Sequence, residues 1–305
     1  ARAALAGVDI AICAAGPFQD MPLTLVNACL DAGIHYIDLC DDRSFLFNVH
    51  RLVEQSRHQR GLPAICTGWS AVPALSATLV EIATSGWNQI DSIEIHIAPG
   101  NRAPRSVATV SSLLASTGKP FTILRDGRWQ TVTGWSEPRY FPFPPPVGRR
   151  AGYLVDVPDH ELFPKLFGAR RVEFRVGSEL ELWNRALALL ARFARRRALP
   201  KSYALASLLR SMMALLGYLG RDCGAVGVRV CGSSARSEGV RHVSVVAARS
   251  GQRIPVMPAV IATKLLLSGH LARRGIVPVN SWLTRDQLES ECRRRGYDLI
   301  VEDQA

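Results

Sequence analysis

The chain has 305 residues, 48% of them apolar and 21% charged, with seven cysteines and a formal net charge of +11. That length is enough for two packed cores. No run approaches the roughly 20 uninterrupted apolar residues of a bilayer-spanning helix, which excludes an integral membrane span within it. Cys13, Cys29, Cys40, Cys66, Cys223, Cys231 and Cys292 are odd in number and never spaced C-x-x-C. This points to reduced thiols in a cytoplasmic protein, with no zinc framework and no other metal expected. The excess charge comes mostly from arginine, at Arg149 and Arg150, Arg170 and Arg171, Arg195 to Arg197, Arg273 and Arg274, and Arg293 to Arg295. These clusters are dispersed and lack interleaved aromatics, so nucleic acid is not expected as a partner. A solvated basic surface, an anionic small molecule or a membrane surface remain.

Up to about residue 88, short apolar runs alternate with amphipathic helical stretches, the rhythm of βαβ units. A strand is expected over Asp9 to Ala15 and a helix over Pro22 to Ala32, closed by Gly33. A second strand follows over Ile34 to Leu39, a helix over Arg43 to Arg60 closed by Gly61, a third strand over Leu62 to Thr67, and a helix over Ala74 to Ser85. Three parallel strands with right-handed crossovers is the simplest arrangement.

From residue 89 the period changes. The stretch "DSIEIHIAPG" alternates apolar and polar residues as a half-buried strand does, and "FTILRDGRWQTV" is a hairpin around Asp126 and Gly127. Further alternating strands are expected over Arg171 to Leu182, Ala225 to Ser233 and Val240 to Arg249. The stretch "RYFPFPPPVGRR" is too rich in proline for an internal helix or central strand and is expected to be a loop or lid. A helical insertion over about 183–219, broken near Pro200, has wide apolar faces that suit sheet packing, a subunit interface or peripheral contact with a membrane. Helices over Pro258 to Ser268 and Thr284 to Arg295 and a strand over Tyr297 to Val301 complete the chain. The expected fold is α/β: an incomplete Rossmann doubly wound parallel sheet over 1–88, then an α+β domain with a mixed, mostly antiparallel sheet over 89–305.

Doubly wound sheets bind ligands at the carboxyl ends of their strands. Three such ends are visible: Ala15, Gly16, Pro17 and Phe18; then Asp38, Asp41 and Asp42; then Thr67, Gly68 and Ser70. Small residues at Gly16 and Gly68 would let a cofactor ring approach the backbone. Three carboxylates within five residues would repel one another and raise a pKa if they converge, which suits proton transfer; alternatively one of them, Asp41 foremost, caps the following helix. Tyr36 shares a strand face with Asp38, whereas His35 points the other way as a packing residue. The stretch "PGNRAPRSVAT" places Asn101, Arg102 and Arg105 on a loop, where they suit a substrate carboxylate clamp or a basic turn before a helix. In "DVPDHELFP", His160 lies among carboxylates without a partner of known position. A Ser nucleophile elbow, paired metal-ligand spacing and a P-loop are all missing from the sequence.

In order and spacing, "DIAICAAGPF", "ACLDAGIHYIDLCDD" and "TGWSAVPALSA" resemble the saccharopine dehydrogenase (saccharopine reductase-like) family, most strongly over residues 5 to 80. The resemblance implies a Rossmann domain that binds NADP or NAD, followed by a domain carrying substrate and homodimer contacts. It also implies hydride transfer at the CH–NH carbon of a secondary amine or imine. Ala15, Gly16, Pro17, Phe18, Thr67, Gly68 and Ser70 match cofactor-side positions, Asp38 and Asp42 the acidic catalytic ones, and Tyr36 a position facing the reaction crevice, while Asn101 and Arg102 on their loop would meet an anionic, amino-acid-like substrate. The family's G-x-G-x-x-G turn and first strand and helix would precede residue 1, so this chain is expected to be an N-terminally truncated fragment and a poor enzyme alone. Asp41 replaces a more usual Gly, and Trp69 a smaller or more polar residue, which implies a substrate other than saccharopine. The competing expectation is a non-catalytic binding or membrane-associated relative.

Overall fold

The computed structural model describes residues 2–56, 61–102, 106–194, 207, 209–212, 217–234 and 238–304. Arg105, Arg195 to Arg197 and most of the second helix expected within 183–219 lie outside the described residues. The first part is the anticipated βαβ succession: β1 (Ile10–Cys13), α1 (Thr24–Ala32), β2 (His35–Asp38), α2 (Arg43–Glu54), β3 (Ala64–Cys66) and α3 (Ser76–Ala83). Helix α1 ends at Gly33, whose left-handed backbone (φ 69°) returns its N–H to the carbonyls of Cys29 and Leu30. Each strand is shorter than the apolar run that announced it, because the residues at the run ends peel away into the connecting turns.

The parallel sheet has a fourth strand that periodicity did not show. Its order is β1-β2-β3-β12, and β12 is only Gly275–Ile276, paired with Ala64 and Ile65. Two residues carry no alternation to detect. The chain therefore returns to the first sheet late in its course, and the boundary expected at 88 does not part the chain into two independent stretches. Strand β1 forms the other border, where Ile12 is half exposed.

The larger sheet has seven strands in the order β13-β11-β10-β4-β9-β8-β7. These are β4 (Gln89–Pro99), β7 (Arg139–Pro142), β8 (Arg149–Leu154), β9 (Arg171–Val176), β10 (Gly224–Ser233), β11 (Glu238–Ala247) and β13 (Tyr297–Gln304). Only β4 and β9 run parallel, so the sheet is mixed and mostly antiparallel. Hairpin β5 (Pro120–Arg125) and β6 (Arg128–Thr133) turns at Asp126 and Gly127, both with positive φ as a two-residue turn of this kind requires. Helices α4 (Val107–Ser116), α5 (Asp159–Phe167), α6 (Glu181–Ala194), α7 (Met257–Leu267) and α8 (Arg285–Arg295) complete the described elements. Two expectations need correction. The proline-rich stretch supplies an edge strand, β7, where proline is tolerated because one side makes no ladder bonds. The strand expected through Leu182 stops at Val176, and Leu182 already belongs to α6.

One face of the seven-stranded sheet is apolar. Ile93, Ile95, Val226, Val228, Val243 and Val245 share a core with Leu75, Leu79 and Val80 of the first part of the chain. On the opposite face the register sets Glu302, His242, Arg229, Glu94 and Glu173 side by side across five strands. Phe141 covers this row, its ring 4.6 Å from that of His96 and 5.4 Å from that of His242. Glu173 and Arg175 are fully buried and paired at 2.6 Å, and Arg125 binds the other Glu173 oxygen at 2.6 Å. Burial by itself would raise the Glu173 pKa, but Arg175 and Arg125 outweigh it and hold the carboxyl at about 2.

Removing one member of such a buried network strands the others. Glu173→Gln is expected to lower stability at neutral pH by roughly 3–5 kcal/mol, measured by chemical denaturation. Because the folded pKa is depressed, this contribution exists above the ordinary value of 4.5 and fades as the pH falls towards about 2, so the two proteins should converge there.

Candidate functional site

The carboxyl ends of β1, β2 and β3 meet around Asp38, a residue with no solvent exposure. Its Oδ1 accepts the N–H of Gly68 at 2.7 Å and of Cys40 at 3.0 Å, and its Oδ2 accepts the Thr67 hydroxyl at 2.8 Å. The Trp69 N–H returns to the Asp38 carbonyl at 2.9 Å. Burial raises the Asp38 pKa, opposed by the donors Gly68, Cys40, Thr67 and Tyr36. Asp38 therefore ties the end of β2 to the end of β3. Placed there, it has no open side towards a ligand, which corrects its expected role as a proton-transfer group.

The other predicted residues divide between open and covered positions. Ala14, Ala15 and Gly16 are exposed, Pro17 is half-buried and Phe18 is buried. Phe18 packs edge-on against Phe45 of α2 at 5.2 Å, which pins the turn after β1. Thr67, Gly68, Trp69 and Ser70 are all covered. Gly68 has φ +74°, and a β-carbon there would lie 2.6 Å from Pro73 and 2.9 Å from Leu46. The space beside Gly68 is thus filled by the protein's own side chains, not left for a ring. Trp69 in turn packs against Trp282, the rings tilted by 54° with centroids 4.5 Å apart, which closes the end of β3.

Asp42, not Asp41, is the residue that caps α2, accepting the Phe45 N–H at 2.8 Å. Its backbone contacts the Cys40 thiol, and Asp41 is exposed. Tyr36 does share a face with Asp38 but is 1% exposed, with burial first and then Asp38 and Cys13 raising its hydroxyl pKa. It therefore cannot face a substrate crevice as expected. Asn101 is likewise buried, against Gly220, while its backbone N–H donates to Glu179 at 3.0 Å. Arg102 next to it is exposed. The Ser112 hydroxyl of α4 donates to Gln19 at 3.1 Å, so the helix that follows the Arg102 loop leans on the turn after β1.

Several polar residues around these strand ends come from positions that sequence spacing did not link. Arg43, at the start of α2, is paired with Asp156 and donates to the Thr122 carbonyl at 3.1 Å. Asp159 is wholly buried and lies 2.5 Å from the Ser76 hydroxyl, which is also 3.0 Å from the Pro73 carbonyl. One hydroxyl hydrogen serves one acceptor at a time. When Ser76 donates to Pro73, Asp159 carries a proton and donates to Ser76. Burial raises the Asp159 pKa to about 7, only partly opposed by Ser76 and Arg43. His160 is packed between the Val155 and Val172 carbonyls at 3.0 and 3.2 Å, and burial lowers its pKa to about 4. The motif around residues 156–160 was visible as carboxylates beside a histidine, but its partners lie about 80 to 113 positions away. Among the described residues, no cluster of His, Cys, Asp or Glu is placed to hold a metal ion.

Asp38→Asn would turn an amide N–H₂ towards N–H and O–H donors. The expected loss is roughly 3 kcal/mol in denaturant unfolding, whatever the activity. For Asp159, the raised folded pKa means that its contribution is complete below 3.8 and is lost as the pH rises through about 7. Asp159→Asn keeps a donor without the titration, so it should gain on the parent protein by up to roughly 4 kcal/mol between about pH 4 and pH 8. Melting curves across that range check both the sign and the window.

No protein-family model matches the chain, and no curated protein matches it. Among solved structures, a dehydrogenase (MviM) from Clostridium difficile aligns over 96% of this chain and 80% of its own, with 9% identity and a TM-score of 0.35. A likeness at that level assigns no family, and the α/β architecture stands on the observed strand order and pairing.

Proposed function

We propose that the chain belongs to an NAD(P)-dependent oxidoreductase acting at the CH–NH carbon of an anionic, amino-acid-like substrate. The observation that carries this reading is the open carboxyl end of β1. Ala14, Ala15 and Gly16 are exposed there, and none bears more than a methyl group, so a flat ring fits against the backbone. Thr67, Gly68 and Ser70 suit support of that floor from beneath, since their own surroundings are filled. A bound nicotinamide supplies or accepts the hydride. Around it, the chain contributes a floor at Ala14 to Gly16, held by Phe18 on Phe45, with Asp38 as a positioning residue for the strand ends. Asp42 is the half-buried carboxylate left nearby to handle a proton, and Arg102 offers an exposed guanidinium to a substrate carboxylate. NADP rather than NAD is favoured by resemblance alone.

The competing reading, a non-catalytic, membrane-associated relative, rests on the solvent face of α6. There Leu182, Leu189 and Phe193 are exposed together with Arg185 and Arg192. Among the described residues, no helix is long and apolar enough to cross a membrane.

Fluorescence titration of the full-length protein with NADPH and NADH separates the two readings. At least one dinucleotide should bind, and Ala15→Trp should weaken it roughly tenfold or more, about 1.4 kcal/mol, without changing the melting temperature. Failure of both to bind, with flotation on anionic vesicles instead, would replace the enzyme reading with its rival.

A further inference from the structure

Away from the strand ends, a groove of about 850 Å³ opens beside the seven-stranded sheet. One wall runs from the residues after β11 through the turn into the start of α7, carrying Arg249, Arg253, Val256 and Val260. The other is the junction of α8 and β13, carrying Arg294, Arg295 and Tyr297. Four guanidinium groups line this groove, and no carboxylate does.

The charge imbalance persists beyond the lining. Arg294 and Arg295 both bind the single carboxylate of Glu291, which Lys264 also approaches to 4.0 Å. Arg249 and Arg253 are exposed and have no acidic partner among the described residues. Asp222 accepts the Ser250 N–H at 2.8 Å. Among the described residues Glu291 is the one carboxylate that pairs with any of the four arginines, so the lining carries a surplus of positive charge. Arg253 and Arg295 come from opposite walls, yet both act on the Tyr297 hydroxyl, whose pKa burial raises and these two cations lower. Arg249 and Arg253 from one wall and Arg294 and Arg295 from the other thus border the same groove. Next to them Val256 and Val260 are 41% and 38% exposed, giving the groove an apolar shoulder.

We propose that this groove binds the phosphate of a phosphorylated ligand that also carries an apolar portion. Near neutral pH a phosphomonoester carries close to two negative charges and three acceptor oxygens, which matches the surplus and the fork-shaped donors of arginine. The apolar portion lies along Val256 and Val260. The same phosphate chemistry is offered by a soluble metabolite or by a lipid headgroup, and the groove does not depend on the oxidoreductase reading.

The test pairs calorimetric titration of the chain with inorganic pyrophosphate and flotation on phosphatidylcholine vesicles containing phosphatidic acid. Binding is expected in at least one arm, weakened roughly tenfold or more by the double variant Arg249→Gln, Arg253→Gln. Arg293→Gln is the control, since Arg293 pairs with Glu289 and does not line the groove. Binding of pyrophosphate assigns a soluble ligand, and binding confined to vesicles assigns a headgroup. Pyrophosphate held at the strand ends of the parallel sheet would be indifferent to the double variant, which separates this site from the proposed cofactor floor. Both positions are exposed, so the double variant should melt with the parent protein and a lost signal is not a lost fold. No binding in either arm, undiminished binding by the double variant, or equal binding of malonate would overturn the assignment.

Discussion

Placing a carboxylate where water cannot reach it is costly unless donors surround it, and Asp38 meets that demand with two backbone N–H groups and a threonine hydroxyl. Those donors come from the residues after β2 and after β3, so satisfying one charge sets the path of both loops. With Gly68 drawn onto Asp38, its backbone takes a positive φ, and the place a β-carbon would occupy is filled by Pro73 and Leu46. Trp69 is then delivered under Trp282. The result is asymmetric: the end of β3 is sealed by protein while the end of β1 stays open.

The same strand ends explain why the two parts of the chain are bound so closely. Trp282 reaches the first sheet from beyond residue 275, next to the point where β12 extends that sheet. Its indole N–H donates to the Ala74 carbonyl at 3.3 Å. Arg43 with Asp156 and Ser76 with Asp159 add polar ties from the helices of the parallel sheet to the segment around α5. Through these contacts the apolar face of the larger sheet and the segment carrying α3 form one core. Its opposite face is held by charge instead. Glu173 is stable as an anion only because Arg125 and Arg175 enclose it.

Local patterns reveal elements, and long-range pairing reveals roles. The alternation in Ile93 to Ile97 and in Val240 to Val246 is legible because each such strand has one apolar face, and period two survives any choice of neighbour. Gly33, and Asp126 with Gly127, are legible because a chain reversal needs their backbone freedom. Strand β12 was not, since two residues leave no period, and α5 was obscured by Pro164 within it. At the candidate site the acidic stretch Asp38 to Asp42 was conspicuous. Nothing local distinguished the buried tie, Asp38, from the helix cap, Asp42, or from the exposed Asp41.

The amino-acid sequence by itself determined the alternating parallel part, the mostly antiparallel part and the three strand ends where a ligand would be sought. Those properties follow from hydrophobic period and turn chemistry, which act over a few residues. Only the tertiary structure decided which strand end stays open and which carboxylates are buried. It also decided that Tyr36 and Asn101 face inward, and that arginines from 249 and 253 meet those from 294 and 295. Each of these outcomes depends on what is packed opposite, often a residue more than 40 positions away, and burial and charge balance are properties of that company.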